Sequence, residues 1–446
     1  MICAFDLGST SFKAAIFNSN AGIIGNASIP VPYNRSGQAV ELDVNVARGL
    51  LKQLCTEALR SGEITAQKIT AVGVTSQAQT FTLMDDRGQI LLPLRSWLDG
   101  RGAAASLLMT EEEEFKNFKQ HAGVSDLQPA LQVCQLRALL DNENEEPLRK
   151  VLVKRNKDLS DKFCSAGMMC LESNVRVVPL PGLLMYDLTG VLATDENLAS
   201  LTGLYSLIEK NWWSTALNYL NLSIEQMPVL FPCGSVTGFT RAGNEYGFPQ
   251  SIPVYSCGND QTAGAFGAQI EPGDTLITLG TALVVYRVFT ELPHPRAGLF
   301  RGLYPGSLFY GMSAAPGGER ISAAISADEN LRDFETFDAL AVKELGSGTS
   351  KQHCFPSGVH SLTAPQIKNK NPGAEALGVL HTLAETAFAM AGSLPVSGKP
   401  KRLLLAGGGV RMKSWVTIIN NISPAVVIES TPLDGTAEMI FSQMKS

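Results

Sequence analysis

The chain has 446 residues, enough for two or three domains. Its 45% hydrophobic and 17% charged residues are ordinary globular material, and a net charge of −6 argues against nucleic acid as the main partner, since phosphate backbones need clustered Lys and Arg. It lacks the run of roughly 18 or more apolar residues that a membrane span needs, and the start MICAFDLGS reads as a short strand, not as a signal peptide.

Residues 1–31 read as three strands, Ile2–Asp6, Phe12–Asn18 and Ile23–Val31, with turns at Gly8 and at Asn20-Ala21-Gly22. Apolar residues at helical spacing predict a helix over Val44–Leu59. Ile69–Thr75 reads as a buried strand, and Asp85-Asp86-Arg87-Gly88 as the turn of a hairpin between Phe81–Met84 and Gln89–Leu92. Residues 103–170 look helical and more polar; within them Glu111–Glu114 reads as a solvated helix face and the basic stretch 150–162 as a surface loop or helix. Leu180–Leu188 reads as a helix stopped by Gly190, and Trp212-Trp213 is expected to open another helix with both rings in the core.

The stretch Pro228–Pro253 is rich in Gly and Pro, and the domain boundary is expected there, dividing 1–245 from 246–446. Beyond it, strands are expected at Val254–Cys257, Leu308–Met312, Arg402–Leu405 and Ala425–Glu429. Helices are expected at Ala263–Gly267, Ile321–Ile325, Leu380–Ala391 and Ser414–Ile422. Strands alternating with helices make the chain α/β. Eight scattered Cys without a C-x-x-C pair fit reduced, buried thiols in a cytoplasmic protein.

One phrase occurs twice. FDLGSTSFKAAIF covers Phe5–Phe17 and ITLGTALVVYRVF covers Ile277–Phe289. Each is an apolar strand ending in Leu-Gly-Ser/Thr, a turn and a returning apolar strand. Such a turn leaves backbone N–H groups free to receive phosphate oxygens. Two copies suggest a duplicated domain gripping a nucleotide from both sides of a cleft.

Asp6 closes the first strand two residues before the turn glycine. It suits Mg²⁺ bound through water; the alternative is a carboxylate that caps its own turn. Asp260, in SCGNDQTAGAFGA, lies between a strand end and a helix start. There it could serve as a general base, kept ionised by the helix N-terminus, or as a plain N-cap. Gly407-Gly408-Gly409 follows an apolar strand, but neither a P-loop nor a dinucleotide fingerprint is present.

Four segments, in order, resemble the FGGY carbohydrate kinases of the actin/hexokinase/Hsp70-like ATPase superfamily. DLGSTSFK at Asp6–Lys13 is similar to the family's D-x-G-T-x-x-x-K. ITAVGVTSQAQTFTLMDDRGQILLPLRSWLDGR at 69–101 resembles its sugar-site segment with W-x-D-x-R. VTGFTRAG…IPVYSCGNDQTAGAFGAQIEPGDTLITLGTALVV at 236–285 resembles its catalytic-base and second phosphate segment, and LLLAGGGVRMKSW at 403–415 its adenosine motif.

The resemblance implies two ribonuclease H-like (actin-like ATPase) domains facing a central cleft, the N-terminal one binding sugar and a shortened C-terminal one binding nucleotide. It implies ATP and Mg²⁺ as cofactors, a ketose or polyol as substrate (a xylulose-like sugar foremost) and a homodimer. By the same resemblance Asp260 is the base and Asp6 holds Mg-ATP. Gly8, Ser9, Thr10, Lys13, Gly280 and Thr281 line the phosphates, and Gly407 and Gly408 border the adenosine. Gln77, Gln79, Trp97, Asp99, Arg101 and Gln261 face the sugar.

The chain departs from the family in places. Ser9 stands for Thr. Gln77-Ala78-Gln79 replaces the Gln-Met-His of xylulokinase-like members and the Arg-Glu pair of glycerol kinases. P-x-x-x-G-E-R is reduced to FPSGVHS at 355–361, and STPLDGTAEMIF lacks an Ala-Leu-Gly-Ala run. Against the kinase stand two other readings: a catalytically weak homologue that binds sugar or nucleotide and regulates a partner, and a chaperone-type ATPase, which does not account for the sugar-site segment.

Overall fold

A computed structural model describes residues 1–141, 152–154, 169–346, 371–396 and 401–445. The basic stretch around 150–162 (apart from the strand Leu152–Lys154) and FPSGVHS lie outside the described residues. The chain divides into two units. The first comprises Met1–Gln269, Thr290–Tyr310 and Thr431–Ser446; the second comprises Ile270–Phe289 and Gly311–Ser430.

The first unit is built on the sheet Ser235–Phe239, Pro253–Asn259, Ala71–Ser76, Ile2–Leu7, Ser11–Phe17 and Ile23–Pro30, in that order. Ile2–Leu7 and Ala71–Ser76 are fully buried, unbroken apolar runs apart from Asp6 and the Thr75-Ser76 end, as parallel strands covered on both faces should be. They pair in parallel, with Asp6 opposite Thr75, and Pro253–Asn259 adds a third parallel strand. All three therefore end at one edge, the edge at which α/β sheets place reacting groups.

The helix Val44–Ser61 buries Val44, Ala47, Leu51, Leu54, Cys55, Ala58 and Leu59 on one face, Asp43 caps its first turn, and of the apolar residues at helical spacing Val46 lies exposed and Leu50 half-buried. A second sheet, in the order Arg176–Pro179, Phe81–Met84, Leu94–Arg95, Ala39–Leu42 and Asn34–Ser36, carries the segment 77–101. The expected hairpin is reduced to a bridge between Met84 and Ile90. Trp212 ends a two-residue strand and Trp213 precedes the helix Ser214–Tyr219; both rings are in the core. Gly190 stops the helix Leu180–Thr189 with φ +80.

The boundary expected at 245/246 falls inside the first unit. Ser235–Phe239 and Pro253–Asn259 pair with each other and join the sheet, so the Gly- and Pro-rich stretch is a connection within it. The chain also returns to this unit at its end. The helix Pro432–Lys445 packs Leu433, Ala437, Met439 and Ile440 against Ile2, Ala4, Ala15 and Phe17. It crosses the helix Asp260–Gly267 so closely that a Cβ on Gly435 would lie 1.7 Å from the Ala263 carbonyl oxygen.

The second unit repeats the first hairpin. Thr275–Leu279 pairs antiparallel with Ala282–Phe289 and parallel with Leu403–Ala406, which in turn pairs with Val426–Val427. In both copies the turn glycine follows the last residue of the incoming strand. The helix Phe334–Gly346 has no counterpart among the expected elements; its Asp338 accepts from Lys413 N (3.0 Å) and Ser414 N (3.0 Å), capping the helix Lys413–Ile422 from outside. Cys3, Cys55, Cys134 and Cys257 are free and buried, Cys233 is free and half-buried, and no described helix is long and apolar enough to cross a membrane.

Candidate active site

The geometry starts at the common edge of the three parallel strands. Asp6 is buried, 3% exposed, and lies opposite Lys13 in the first hairpin. Its Oδ2 accepts from Lys13 Nζ at 3.5 Å, while Oδ1 has no partner among the described residues. Burial raises its pKa, and Lys13 partly offsets this. The turn beyond it needs glycine, because a Cβ on Gly8 would lie 2.9 Å from the Ser11 carbonyl oxygen. Ser9 is half-exposed, and Thr10 and Lys13 are exposed.

Asp260 is the first residue of its helix, and the cap is Asn259, whose side chain accepts from Thr262 N at 2.9 Å. The capping reading of Asp260 is thereby displaced, leaving its carboxylate for other work. Oδ1 accepts from Gln261 N (2.9 Å) and Oδ2 from Gln261 Nε2 (3.4 Å). The pKa is pushed up to about 6, first by burial and then by the negative charge of Asp6. These two effects outweigh the hydrogen bonds from Gln261, and with a pKa of about 6 the group is still mostly ionised at neutral pH. Among the described residues there is no cluster of three or more metal-ligating side chains, so a metal here would rest on one carboxylate plus water and phosphate oxygens, the habit of Mg²⁺.

Sequence reasoning missed the segment that holds this turn. Asp195 is wholly buried and accepts from Ser256 Oγ (2.5 Å), Gly258 N (2.9 Å) and Leu198 N (2.9 Å). Asn197 Oδ1 accepts from Asn259 N (2.9 Å) and Asn259 Nδ2 (2.8 Å). Gly258 has φ +72, and a Cβ on it would meet Cys233 Sγ at 2.8 Å and Asn197 Oδ1 at 3.0 Å. The signal was present in the sequence as Thr-Asp-Glu-Asn at 194–197, four polar residues just after an apolar helix, of which Thr194, Asp195 and Asn197 are buried.

The sugar-site candidates separate into two groups. Gln77 is buried; its Nε2 donates to Tyr33 OH (2.9 Å), and its Oε1 has no partner among the described residues. Gln79 has φ +71, a conformation that non-glycine residues adopt rarely and mostly where a site demands it, and its Nε2 donates to the Leu201 carbonyl at 3.0 Å. Trp97 is 39% exposed and free to present a ring face. Gln261 is half-buried beside Asp260.

Asp99 differs. It is 1% exposed; Oδ2 accepts from Val40 N and Arg101 Nη2, and Oδ1 from Arg101 N and Nε, at 2.7–3.0 Å. A carboxylate has about four acceptor positions, and all are filled. Arg101 also reaches Glu41 at 2.5 Å. For Asp99 the expected role of facing the sugar is corrected: with Arg101 it braces the loop that carries Trp97.

In the second unit, Gly280 and Thr281 form the repeated turn, with Thr281 exposed. Their carbonyls accept from Gly318 N (2.8 Å), Gly317 N (3.2 Å) and Glu319 N (3.3 Å), so the turn carries the start of the helix Gly318–Ala327. Gly407 has φ +83, and a Cβ on it would meet the Leu279 carbonyl at 2.8 Å. Gly407 therefore seats the loop on the strand, while Gly408 is exposed with open space where a Cβ would be.

Comparisons with known proteins give the family and the fold. Residues 1–267 match the N-terminal domain of the FGGY family of carbohydrate kinases. Glycerol kinase of Rhizobium meliloti (strain 1021) is 27% identical over 286 residues; the match covers 63% of this chain and 52%, about half, of that protein. Glycerol kinase of Leptospira biflexa is 22% identical over 438 residues, covering 93% of this chain and 83% of its own. Among solved structures, Plasmodium falciparum glycerol kinase with ADP superposes with a TM-score of 0.79 at 16% identity, covering 100% of this chain and 89% of its own. Xylulose kinase from Rhodospirillum rubrum gives 0.75 at 20% identity, covering 98% and 89%. The fold is thus the two-domain α/β fold of those kinases, and the chain belongs to the FGGY family of carbohydrate kinases.

Proposed function

We propose that the protein is an ATP-dependent carbohydrate kinase acting on a hydroxyl of a ketose or polyol, with Asp260 as general base. One observation carries the reading. A half-buried carboxylate with its pKa pushed up to about 6 stands at the edge of the parallel sheet, interacting with the charge of Asp6 and not consumed as a cap. Such a group is mostly ionised at neutral pH yet basic enough to take a hydroxyl proton.

In the reaction Asp260 accepts the proton of the acceptor hydroxyl as its oxygen bonds to the γ-phosphorus and the bond to ADP breaks. Gln77 and Gln79 supply amide groups for sugar hydroxyls, Trp97 a ring face, and Gln261 a donor beside the base. Lys13 and the Gly8–Thr10 turn supply charge and N–H groups for phosphate oxygens, as Gly280 and Thr281 do in the second unit; Gly408 leaves room for the nucleoside. Asp6, with a buried, unpartnered oxygen, fits Mg²⁺ held through one carboxylate. When bound, that ion neutralises charge on the phosphates.

The relatives' names favour glycerol or xylulose as first acceptors to try. A coupled ADP-release assay with Mg-ATP against ketoses, aldoses and polyols, with a no-acceptor control, tests the proposal. Release that depends on one acceptor supports it. Release without any acceptor points to a plain ATPase. Silence across the panel with ATP binding intact refutes the kinase reading in favour of a regulator.

A further inference from the structure

We propose that the short helix Glu196–Ser200 is the element that fixes the base, with Asn197 as its positioning residue, and that it ties the base to the acceptor-contacting Gln79. The inference rests on the kinase reading for its catalytic meaning, but its geometry stands by itself.

Asn197 is fully buried and uses its whole hydrogen-bonding capacity. Its Oδ1 takes both the backbone and the side-chain N–H of Asn259. Its Nδ2 donates to Thr262 Oγ1 (2.9 Å) and to the Leu303 carbonyl (2.7 Å). Asn197 therefore holds the residue before Asp260 and the residue two after it. With Asn259 Nδ2 engaged by Asn197, the Asn259 amide is oriented so that Oδ1 faces Thr262 N, which starts the helix at Asp260. Asp195, one residue before the helix, pins Gly258 N and Leu198 N with its two oxygens. The turn Gly258-Asn259-Asp260 is thus clamped from one side by a single rigid segment.

The other end of that segment reaches the acceptor side. The carbonyl of Leu201, which caps the helix, accepts from Gln79 Nε2 at 3.0 Å. Base and acceptor contact are therefore referenced to the same five-residue helix. Reactions of positioned groups are sensitive to small displacements, with about 1 Å costing on the order of a hundredfold. A shared rigid support is what such a site requires.

Asn197→Asp keeps the volume and the accepting oxygen but loses both donors, and Thr262→Val removes only the hydroxyl that receives one of them. In either variant kcat per folded molecule is expected to fall about 30-fold or more, with KM for the acceptor and for Mg-ATP within about twofold. In the free protein, amide hydrogen exchange at Asn259–Thr262 is expected to accelerate about tenfold in Asn197→Asp, with the amides of Ile2–Leu7 unchanged. Unchanged kcat in a folded variant overturns the proposal. So does exchange that rises equally in both places, which would make Asn197 a general core residue. If the wild type releases no ADP with any acceptor, the kinase reading fails, and the exchange pattern still decides whether Asn197 holds the turn. Should Asn197→Asp not fold, the Thr262→Val kinetics and exchange decide.

Discussion

Asp260→Asn separates the cost of a perturbed carboxylate from its use. The folded pKa of about 6 stands roughly two units above the ordinary aspartate value of about 3.9. A raised pKa means that the folded state holds the proton more tightly than the unfolded chain. The stability that this group contributes is therefore fully present below about pH 4 and is lost as pH rises through about 6. At roughly 1.4 kcal/mol per unit, the ionised carboxylate destabilises the fold at pH 8 by up to about 3 kcal/mol. Asparagine at 260 carries no charge, and its Oδ1 can still accept from Gln261 N, the bond that is 2.9 Å in the wild type. The variant is expected to be more stable than the wild type by up to about 3 kcal/mol at pH 8 and equal to it near pH 4, while acceptor phosphorylation is lost and ATP binding remains. Urea unfolding at both pH values, followed by tryptophan fluorescence, reads this well. Three of the four tryptophans, Trp97, Trp212 and Trp213, lie in the unit that contains Asp260. Equal midpoints at pH 8 would refute the desolvation argument, and retained turnover would remove Asp260 as the base. In the wild type, the same pKa predicts half-maximal activity near pH 6 and about a tenfold loss by pH 5.

Gln79→Ala should raise the KM for the acceptor about tenfold or more with little change for ATP, measured by initial rates with each substrate varied; equal effects on both would move Gln79 out of the acceptor site. Lys13→Met should weaken Mg-ATP binding by calorimetry and move the acid limb of the pH-rate profile upward, because Lys13 lowers the pKa of both Asp6 and Asp260. Gly435→Ala should destabilise the first unit by at least about 2 kcal/mol in a denaturation experiment, since its Cβ would lie 1.7 Å from a backbone oxygen. A variant that is as stable as the wild type would contradict the close crossing of the two helices.

The sequence by itself determined the local elements and their chemistry. The apolar runs Ile2–Asp6 and Ile69–Thr75 read as strands and Val44–Leu59 as a helix, and the structure has a strand at Ile2–Leu7, a strand at Ala71–Ser76 and a helix at Val44–Ser61. The repeated Leu-Gly-Ser/Thr turn announced the duplication because a glycine turn between apolar strands is a local feature. Asp6 and Asp260 were legible as candidates because strand ends in α/β folds carry function.

Tertiary structure alone decided what depends on distant partners. Asn259, not Asp260, caps the helix because Asn197, 62 residues away, orients its amide. Asp99 is consumed internally because Val40 and Arg101 converge on it. The raised pKa of Asp260 comes from burial and from Asp6, neither of which has a sequence signature. The 245/246 division failed because proline and glycine mark a turn without saying whether the next strand rejoins the same sheet. Pro253–Asn259 does rejoin it, and only long-range pairing could show this.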